Sequence, residues 1–513
     1  MQVRRITQIS GLNVFDYLLR IVTIFMLASN LFPLLTTTKG PIAGQDEAIV
    51  LLYTDQVIRG SLNYLDFHTV YPYPLNFFLS PIVRLFSNDL ISIRVLQLGL
   101  LFVFSLLALT GTNYSKWRVL SVLSLLTCYW STVATYWSFA LLTWGVGFIA
   151  LKSGKAWSHG ISGLFLGLSV SFRPDFLVLV LPIWFGIWID HRTIAREHKQ
   201  IRIVEFAFGI VCGLLPVSVN ICQLVLYHDF LNWQKQQSLI RSGRFLPIRS
   251  TEQISWIFVI LIVYISYAAY LYRLQKRRPS VSVGFPLIWT SLLGSFCFSI
   301  FHALQRLDIY HMHYFATLTL ITFICHCSFI KSDGRKSAGR IFALTLIATT
   351  ITTSIPVINF ELFKLRTPLA KLDETRNDHE SLCGPRRCIP VARNAIAYKP
   401  IIEYLSANSS KSVFVGSNDL NSAFYSDNFL YLLLDNPTCS SYLEMNPGGP
   451  NRENFDLGKD LEDCDYLVLN SVYDGVVEND FSLNVSASVD RNILKSDFYL
   501  VQESFGIFVY SRK

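Results

Sequence analysis

Charged residues are scarce in this sequence of 513 residues. Asp, Glu, Lys and Arg together make up 16% of it, while hydrophobic residues make up 51% and the mean hydropathy is +0.39. A typical soluble domain carries about 25% charged residues. The composition therefore argues against an ordinary soluble enzyme and indicates that a lipid bilayer is the main solvent of the chain.

Several sequence signals are also missing. No small-residue cleavage site of the A-x-A kind follows the first apolar run before Thr36, so we expect an uncleaved signal anchor. The chain has no internal repeat and no low-complexity tract. Residues 416–420 follow a predicted strand but lack the G-x-G-x-x-G spacing, which argues against a dinucleotide site.

The apolar residues gather into runs close to the roughly 20 residues that a helix needs to cross a bilayer. Such a helix satisfies its own backbone hydrogen bonds. The fold class predicted is an α-helical polytopic membrane protein with about eleven transmembrane helices. The predicted spans are 13–36, 89–110, 117–135, 137–151, 160–172, 176–190, 203–227, 254–272, 284–303, 313–330 and 341–359.

Lys and Arg cluster in the short connections between these runs. With a cytoplasmic N-terminus the inside connections hold most of the clusters, which agrees with the positive-inside rule. The net charge of +8 is thus a topology signal, and no nucleic-acid partner is predicted. One predicted outside loop, 228–253, is basic against the rule, and a basic outer loop can meet phosphate.

The same topology divides the chain into a transmembrane domain, 1–360, with a first outside loop at 37–88, and an extracytoplasmic α/β domain, 361–513. The protein is then a multi-pass integral membrane protein, with the plasma membrane as the expected location. Strands are predicted at 411–416, 464–470 and 506–510, where the composition turns polar and alternating.

Four of the ten cysteines lie in the C-terminal domain, and an even number outside the cytoplasm permits disulfides. Cys383 and Cys388 flank a Gly-Pro pair, so a local loop closure is expected, which leaves Cys439 to pair with Cys464. A metal site is the weaker interpretation.

The first outside loop begins with the acidic pair Asp46 and Glu47, at the start of a predicted helix that runs to Gly60. A carboxylate at the membrane surface can accept a proton from an acceptor hydroxyl. The alternative is that both residues cap the N-terminus of a surface helix. Asp55 and Arg59 are spaced four apart and are interpreted as a surface ion pair.

Two prolines in the string YPYP at 71–74 prevent a regular helix before the apolar stretch 75–86. Tyr71 therefore lies in an aromatic-rich loop on the bilayer and is a candidate substrate contact.

The order of these elements resembles that of GT-C glycosyltransferases. It consists of the first span, then GQDEAIVLLYTDQVIRGSLNYLDF, then YPYPLNFFLSPIVRLF, then the second span, over about the first hundred residues. Protein O-mannosyltransferases and lipid A aminoarabinose transferases share that layout. The resemblance implies that Asp46 is the catalytic base, with Glu47 as its neighbour, and that Asp66 is the second acidic residue of the loop.

Beyond these residues the resemblance rests on two strings, SFRPD at 171–175 and QRLDIYH at 305–311. The guanidinium groups of Arg173 and Arg306 are candidates to bind a lipid phosphate. The alternative is that both arginines snorkel to the interface or pair with an aspartate in their own turns.

His311, near two further histidines, is a candidate for binding the donor or a metal, although the spacing matches no known ligand motif. Asp46, Glu47 and a histidine would suit a divalent metal ion as well, so metal dependence stays open at this point.

The resemblance implies a transferase that moves a sugar from a polyprenyl-phosphate donor to a hydroxyl of a lipid, glycan or protein acceptor. Such a lipid donor fits an outside site, because nucleotide sugars are ordinarily cytoplasmic. A transporter or flippase of a lipid-linked glycan is the alternative, since charged residues near spans can mark a transport pathway. A membrane anchor for a binding domain ranks last because one helix would be enough.

Overall fold

The chain folds as a helical bundle followed by a small sheet region. A computed structural model describes residues 44–61, 74–85, 89–110, 125, 134–153, 156–193, 203–226, 251–277, 285–305, 309–329, 380–391, 398–417, 427–440, 443, 458, 461–470, 496–504 and 506–513.

The helices of the bundle are labelled in chain order. Their bounds are α1 Gly44–Ile58, α2 Pro74–Leu85, α3 Asp89–Thr110, α4 Tyr136–Ala150, α5 Ala156–Phe172, α6 Leu177–Thr193, α7 Ile203–Leu226, α8 Thr251–Arg277, α9 Phe285–Gln305 and α10 Ile309–Phe329. Each helix from α3 to α10 lies on a predicted span, so those predictions are confirmed as helices. The predicted spans 13–36 and 341–359, and most of 117–135, lie outside the described residues.

Among the described residues, three helical segments are both long enough and apolar enough to cross a membrane: Leu90–Leu109, Ile203–Gln223 and Phe285–His302. The predicted count of about eleven transmembrane helices is therefore not supported. Helix length is one physical reason. The 15 residues of α4 rise only about 22 Å, short of a hydrocarbon core of about 30 Å.

The surface of α7 nevertheless indicates that this helix contacts a lipid bilayer. Five apolar side chains spaced three or four residues apart are each more than half exposed. They are Val204, Phe208, Val211, Leu215 and Val219. Exposing such a stripe to water costs about 25 cal/mol per Å² of apolar surface. A helix face of this kind is suited to contact with lipid. The α8 helix has a similar stripe, at Phe258, Ile262 and Ile265.

Glycines bring the backbones of α5 and α7 into direct contact. A Cβ added to Gly163 would lie 2.1 Å from the carbonyl oxygen of Phe206, and one added to Gly209 would lie 2.1 Å from that of Gly160. The Ser171 hydroxyl donates a hydrogen bond of 2.6 Å to the carbonyl oxygen of Gly213. Small residues at a spacing of four are the usual means of close helix packing in membranes.

Gly209→Val is expected to destabilise the protein by about 1–3 kcal/mol or more, because the new side chain must push the two backbones apart. The matched control is Gly99→Val on α3, since a Cβ at Gly99 meets nothing within 4 Å. Thermal unfolding in detergent compares the two variants. Equal midpoints would show that the contact between α5 and α7 does not matter for stability.

A buried polar seam joins α8, α9 and α10. Three serines spaced four apart on α9 each bond to a neighbouring helix. Ser291 lies 2.8 Å from His326 Nε2, Ser295 lies 2.9 Å from Thr322, and Ser299 lies 3.0 Å from the Tyr264 hydroxyl. The Tyr267 hydroxyl is 2.9 Å from His326 Nδ1. Hydrogen bonds of this kind set the register of helices that share an apolar environment.

The C-terminal region contains a two-stranded and a four-stranded sheet. The elements are β1 Glu380–Cys383, β2 Cys388–Val391, α11 Lys399–Ser406, β3 Val413–Ser417, α12 Leu430–Leu433, β4 Tyr466–Asn470, β5 Phe498–Ser504 and β6 Ile507–Arg512. The larger sheet has the order β3-β4-β6-β5, in which β3 and β4 are parallel and the other pairs antiparallel. The three predicted strands correspond to β3, β4 and β6 and are confirmed.

Both expected disulfides are present. Cys383 bonds to Cys388 across the turn between β1 and β2, and Cys439 bonds to Cys464 beside the larger sheet. The second disulfide packs in a small apolar cluster with Phe414 and Leu467. The two disulfides therefore stabilise different parts of the region, the first a hairpin and the second the sheet.

Candidate functional site

The α1 helix, which carries the predicted catalytic pair, is buried. Every residue from Glu47 to Asp55 is less than a tenth exposed. The alternative interpretation of α1 as a surface helix is thus wrong. The physical reason is that residues 48–53, AIVLLY, place apolar side chains on all faces of the helix, and such a helix is stable only when it is covered on all sides.

Asn76 of α2 fixes the middle of α1. Its Nδ2 donates to the carbonyl oxygen of Val50 at 3.1 Å and to the Thr54 hydroxyl at 3.0 Å. The Tyr136 hydroxyl, at the start of α4, donates to Asn76 Oδ1. One buried amide therefore joins three helices. A single polar residue within the apolar string PLNFFL was the signal that the sequence analysis missed.

Glu47 forms a bidentate ion pair with Arg94 of α3. Arg94 Nε lies 2.6 Å from Glu47 Oε1, and Arg94 Nη2 lies 2.6 Å from Glu47 Oε2. The Glu47 side chain is 1% exposed and the Arg94 side chain 8%. The pair fixes the first turn of α1, on which the neighbouring Asp46 also lies. The side chain of Asp46 itself lies outside the described residues. Arg94 was not predicted, although an arginine within an apolar run is costly unless it has a partner.

Arg173, Asp175 and His302 form a second charged cluster, in the turn between α5 and α6. Arg173 Nε lies 3.1 Å from Asp175 Oδ1, Arg173 Nη2 lies 2.7 Å from Oδ2, and His302 Nε2 from α9 lies 3.1 Å from Oδ2. Pairing of Arg173 within its own turn was the alternative to phosphate binding, and this pairing is confirmed. His302 is an additional member that the sequence analysis did not place there.

Burial by itself raises the pKa of Asp175, but the Arg173 guanidinium and His302 outweigh it and hold the pKa of this carboxyl below its usual range. Asp175 is therefore ionised at neutral pH. The cluster offers a guanidinium held by a carboxylate, beside the imidazole of His302.

Aromatic contacts place this cluster near α1 and α2, the two first-loop helices. The ring of Phe172 lies 5.8 Å from that of Phe78 on α2. Phe176 lies 6.4 Å from Trp137 at the start of α4 and 5.2 Å from Phe298 near the end of α9. The helix α1, the helix α2, the start of α4, the turn between α5 and α6 and the end of α9 thus share one end of the bundle, named here the α1 end.

The remaining predicted site residues are only partly visible. The backbone of His311 lies in the first turn of α10, which begins four residues after α9 ends and so starts at the α1 end. The side chain of His311 and all of Asp66, Tyr71 and Arg306 lie outside the described residues. Within the described residues no group of three or more His, Cys, Asp or Glu side chains is arranged to hold a metal ion.

Asp55 connects α1 to the C-terminal region. The predicted ion pair with Arg59 is present, at 3.0 Å between Arg59 Nε and Asp55 Oδ2. Arg386 Nη2 also contacts Oδ2, and Arg387 Nη2 lies 2.6 Å from Oδ1. The interpretation as a surface pair is wrong, since the Asp55 side chain is 8% exposed. Two arginines from a distant part of the chain cover it.

A comparison with models of protein families and a comparison with curated proteins find no match to this chain.

Proposed function

We propose that the chain is a membrane glycosyltransferase of the GT-C type. It would transfer a sugar from a polyprenyl-phosphate donor to a hydroxyl of a lipid, glycan or protein acceptor, with inversion. One observation carries the proposal: the acidic first-loop helix is held at the same end of an apolar bundle as a fixed arginine with an aspartate and a histidine. Transfer from a lipid phosphate needs a base and a phosphate-binding cation close to the bilayer.

In the proposed reaction Asp46 takes the proton from the acceptor hydroxyl, and the oxygen forms a bond to the anomeric carbon. The bond from that carbon to the phosphate oxygen breaks, and the polyprenyl phosphate leaves with the electron pair. A phosphate is a good leaving group, so no separate acid is required. Glu47 would act through its ion pair with Arg94, which holds the first turn of α1 in place.

The leaving phosphate would meet the α1 end of the bundle. A guanidinium presents a planar set of N–H donors that suits phosphate oxygens. Asp175 accepts two hydrogen bonds from the Arg173 guanidinium and would orient it toward the phosphate, so pairing with Asp175 and phosphate binding are not exclusive in this proposal. Asp175 is then a positioning residue. Arg306, which follows α9 in the sequence, His311 of α10, and Asp66 and Tyr71 of the first loop would complete the proposed substrate contacts.

The proposal also includes the membrane topology of the chain. About eleven spans, a cytoplasmic N-terminus and an extracytoplasmic C-terminal domain would place the α1 end at the outer leaflet of the plasma membrane. Nucleotide sugars are ordinarily cytoplasmic, so a donor at that side must arrive on a lipid.

A transporter or flippase of a lipid-linked glycan is the second candidate, and the polar seam of α8, α9 and α10 favours it. Polar and ionisable groups inside spans often mark a pathway. Each seam contact, however, joins neighbouring helices, as expected of groups that hold helices together. The transferase therefore ranks first.

The two candidates differ in whether a bond is broken. We suggest incubating the purified protein in nanodiscs with polyprenyl-phosphate hexoses and pentoses and a panel of hydroxyl acceptors. The transferase predicts release of polyprenyl phosphate and a product of inverted anomeric configuration, with no transfer from nucleotide sugars. Movement of an intact lipid-linked glycan across sealed vesicles, with no release from any donor in the panel, would replace this proposal by the transporter.

A further inference from the structure

The Cys383–Cys388 hairpin, residues 380–391, reaches out of the C-terminal region onto α1. Its turn holds two adjacent arginines, and both contact the carboxylate of Asp55. A tight turn allows this, because Cys383 and Cys388 are paired in register and the Gly384 N–H donates to the Arg387 carbonyl at 3.0 Å. The disulfide closes the same turn.

The hairpin is also anchored on its other side. The Arg386 N–H donates to the Leu433 carbonyl at 3.3 Å, and Arg386 Nη1 donates to the Tyr431 carbonyl at 2.8 Å. Gly384 approaches the same segment so closely that a Cβ there would lie 2.3 Å from the Leu433 carbonyl oxygen. The turn is therefore wedged between α12 and α1.

The ion pairs at Asp55 are costly to bury. Removing a carboxylate and its partners from water costs several kcal/mol per ion, and well-packed apolar side chains would often stabilise the contact equally well. Hydrogen bonds between fixed charges instead constrain the relative orientation of the two elements. Asp55 accepts two of them from one disulfide-closed turn.

Three polar contacts hold α1 at different points along its length, in addition to its apolar packing. Arg94 holds its first turn through Glu47, Asn76 holds its middle through Val50 and Thr54, and the hairpin holds its last turns through Asp55. The first two contacts come from the helical bundle. The third comes from the C-terminal region, more than 300 residues further along the chain, since Arg386 and Asp55 are separated by 331 residues.

We propose that the Cys383–Cys388 hairpin is a clamp that holds α1 in the orientation the site requires. Arg386 and Arg387 are then positioning residues that act through Asp55. The catalytic consequence rests on the proposed function, whereas the clamp itself does not. The inference assigns to the C-terminal region a role in positioning α1.

The clamp is tested by amide hydrogen exchange of the full-length protein in nanodiscs. In Cys383→Ser/Cys388→Ser and in Arg386→Gln/Arg387→Gln, exchange within residues 44–58 is expected to rise about 10-fold or more, because hydrogen bonds to a charged group are stronger than those between neutral groups. The matched control is Cys439→Ser/Cys464→Ser, which removes a disulfide that lies beside the sheet. It should leave exchange of α1 within twofold of wild type.

Unchanged protection of α1 in both hairpin variants would overturn the clamp, and so would an equal rise in the control.

Activity separates the clamp from the proposed function. If the wild type transfers sugar, the Gln variant should lose kcat with little change in the KM for the lipid donor, and Arg386→Lys/Arg387→Lys should recover part of the loss. Transfer by the Gln variant at the wild-type rate would refute positioning and leave the transferase intact. If the wild type transfers no sugar, the exchange result still decides the clamp.

Discussion

Asp46→Asn is expected to lower the rate of sugar transfer by about 10²–10⁴-fold at saturating donor, the usual contribution of a general base. Asparagine has nearly the same size as aspartate but cannot accept the proton of the acceptor hydroxyl. The substitution leaves the neighbouring pair of Glu47 and Arg94 in place, so the midpoint of thermal unfolding should stay close to that of the wild type. Initial rates and unfolding midpoints are measured on the same preparations.

Glu403→Gln is the matched control for this substitution, because it also neutralises one carboxylate but lies exposed on α11. It should transfer sugar at the wild-type rate. Full activity of Asp46→Asn would remove Asp46 from the mechanism. Loss of activity together with loss of the folded state would assign Asp46 a structural role instead.

Arg94→Leu is expected to destabilise the protein by about 3–5 kcal/mol, because it breaks the bidentate pair with the buried Glu47 carboxylate by removing one partner. The double variant Glu47→Leu/Arg94→Leu removes both charges and should regain most of that loss, since two apolar side chains replace the pair. Denaturant or thermal unfolding in detergent measures both variants.

Arg59→Leu is the control for this prediction. Arg59 also pairs with a carboxylate of α1, but its side chain is 45% exposed, so the cost should be only about 0–1 kcal/mol. If the double variant were as unstable as Arg94→Leu alone, the Glu47 carboxylate left by the broken pair would not be the cause of the instability.

Local patterns made much of the fold predictable. Apolar runs such as 203–227 and 284–303 coincide with α7 and α9, and the prolines at 72 and 74 place the start of α2. The spacing of Cys383 and Cys388 predicts a closed turn because the residues between them are few. Strand β4 is recognisable as the short apolar run YLVLN, and the structure shows that all of its side chains are buried. In each case the signal and the structure lie within the same short segment.

The site was harder to predict because its contacts join distant segments. Spacing within α1 indicates that Asp55 can reach Arg59, but nothing in that spacing points to Arg386, 331 residues away. The pairing of Glu47 with Arg94 spans 47 residues and depends on how α1 lies against α3. The predicted number of spans is not supported by the described helices for a related reason. Hydropathy marks an apolar run, but the length of a helix depends on where its caps and neighbours end it.

The most direct test of the account is the location of the lipid phosphate. We suggest photolabelling the protein in nanodiscs with a polyprenyl phosphate that carries a diazirine next to the phosphate, and mapping the labelled peptides by mass spectrometry. The account predicts labels at the α1 end, around Arg173, His302 and the first-loop helices, that excess unlabelled polyprenyl phosphate removes. Phe148 near the end of α4 and His326 near the end of α10 mark the opposite end of the bundle, where their rings lie 5.8 Å apart. Competable labels confined to that end would contradict the account.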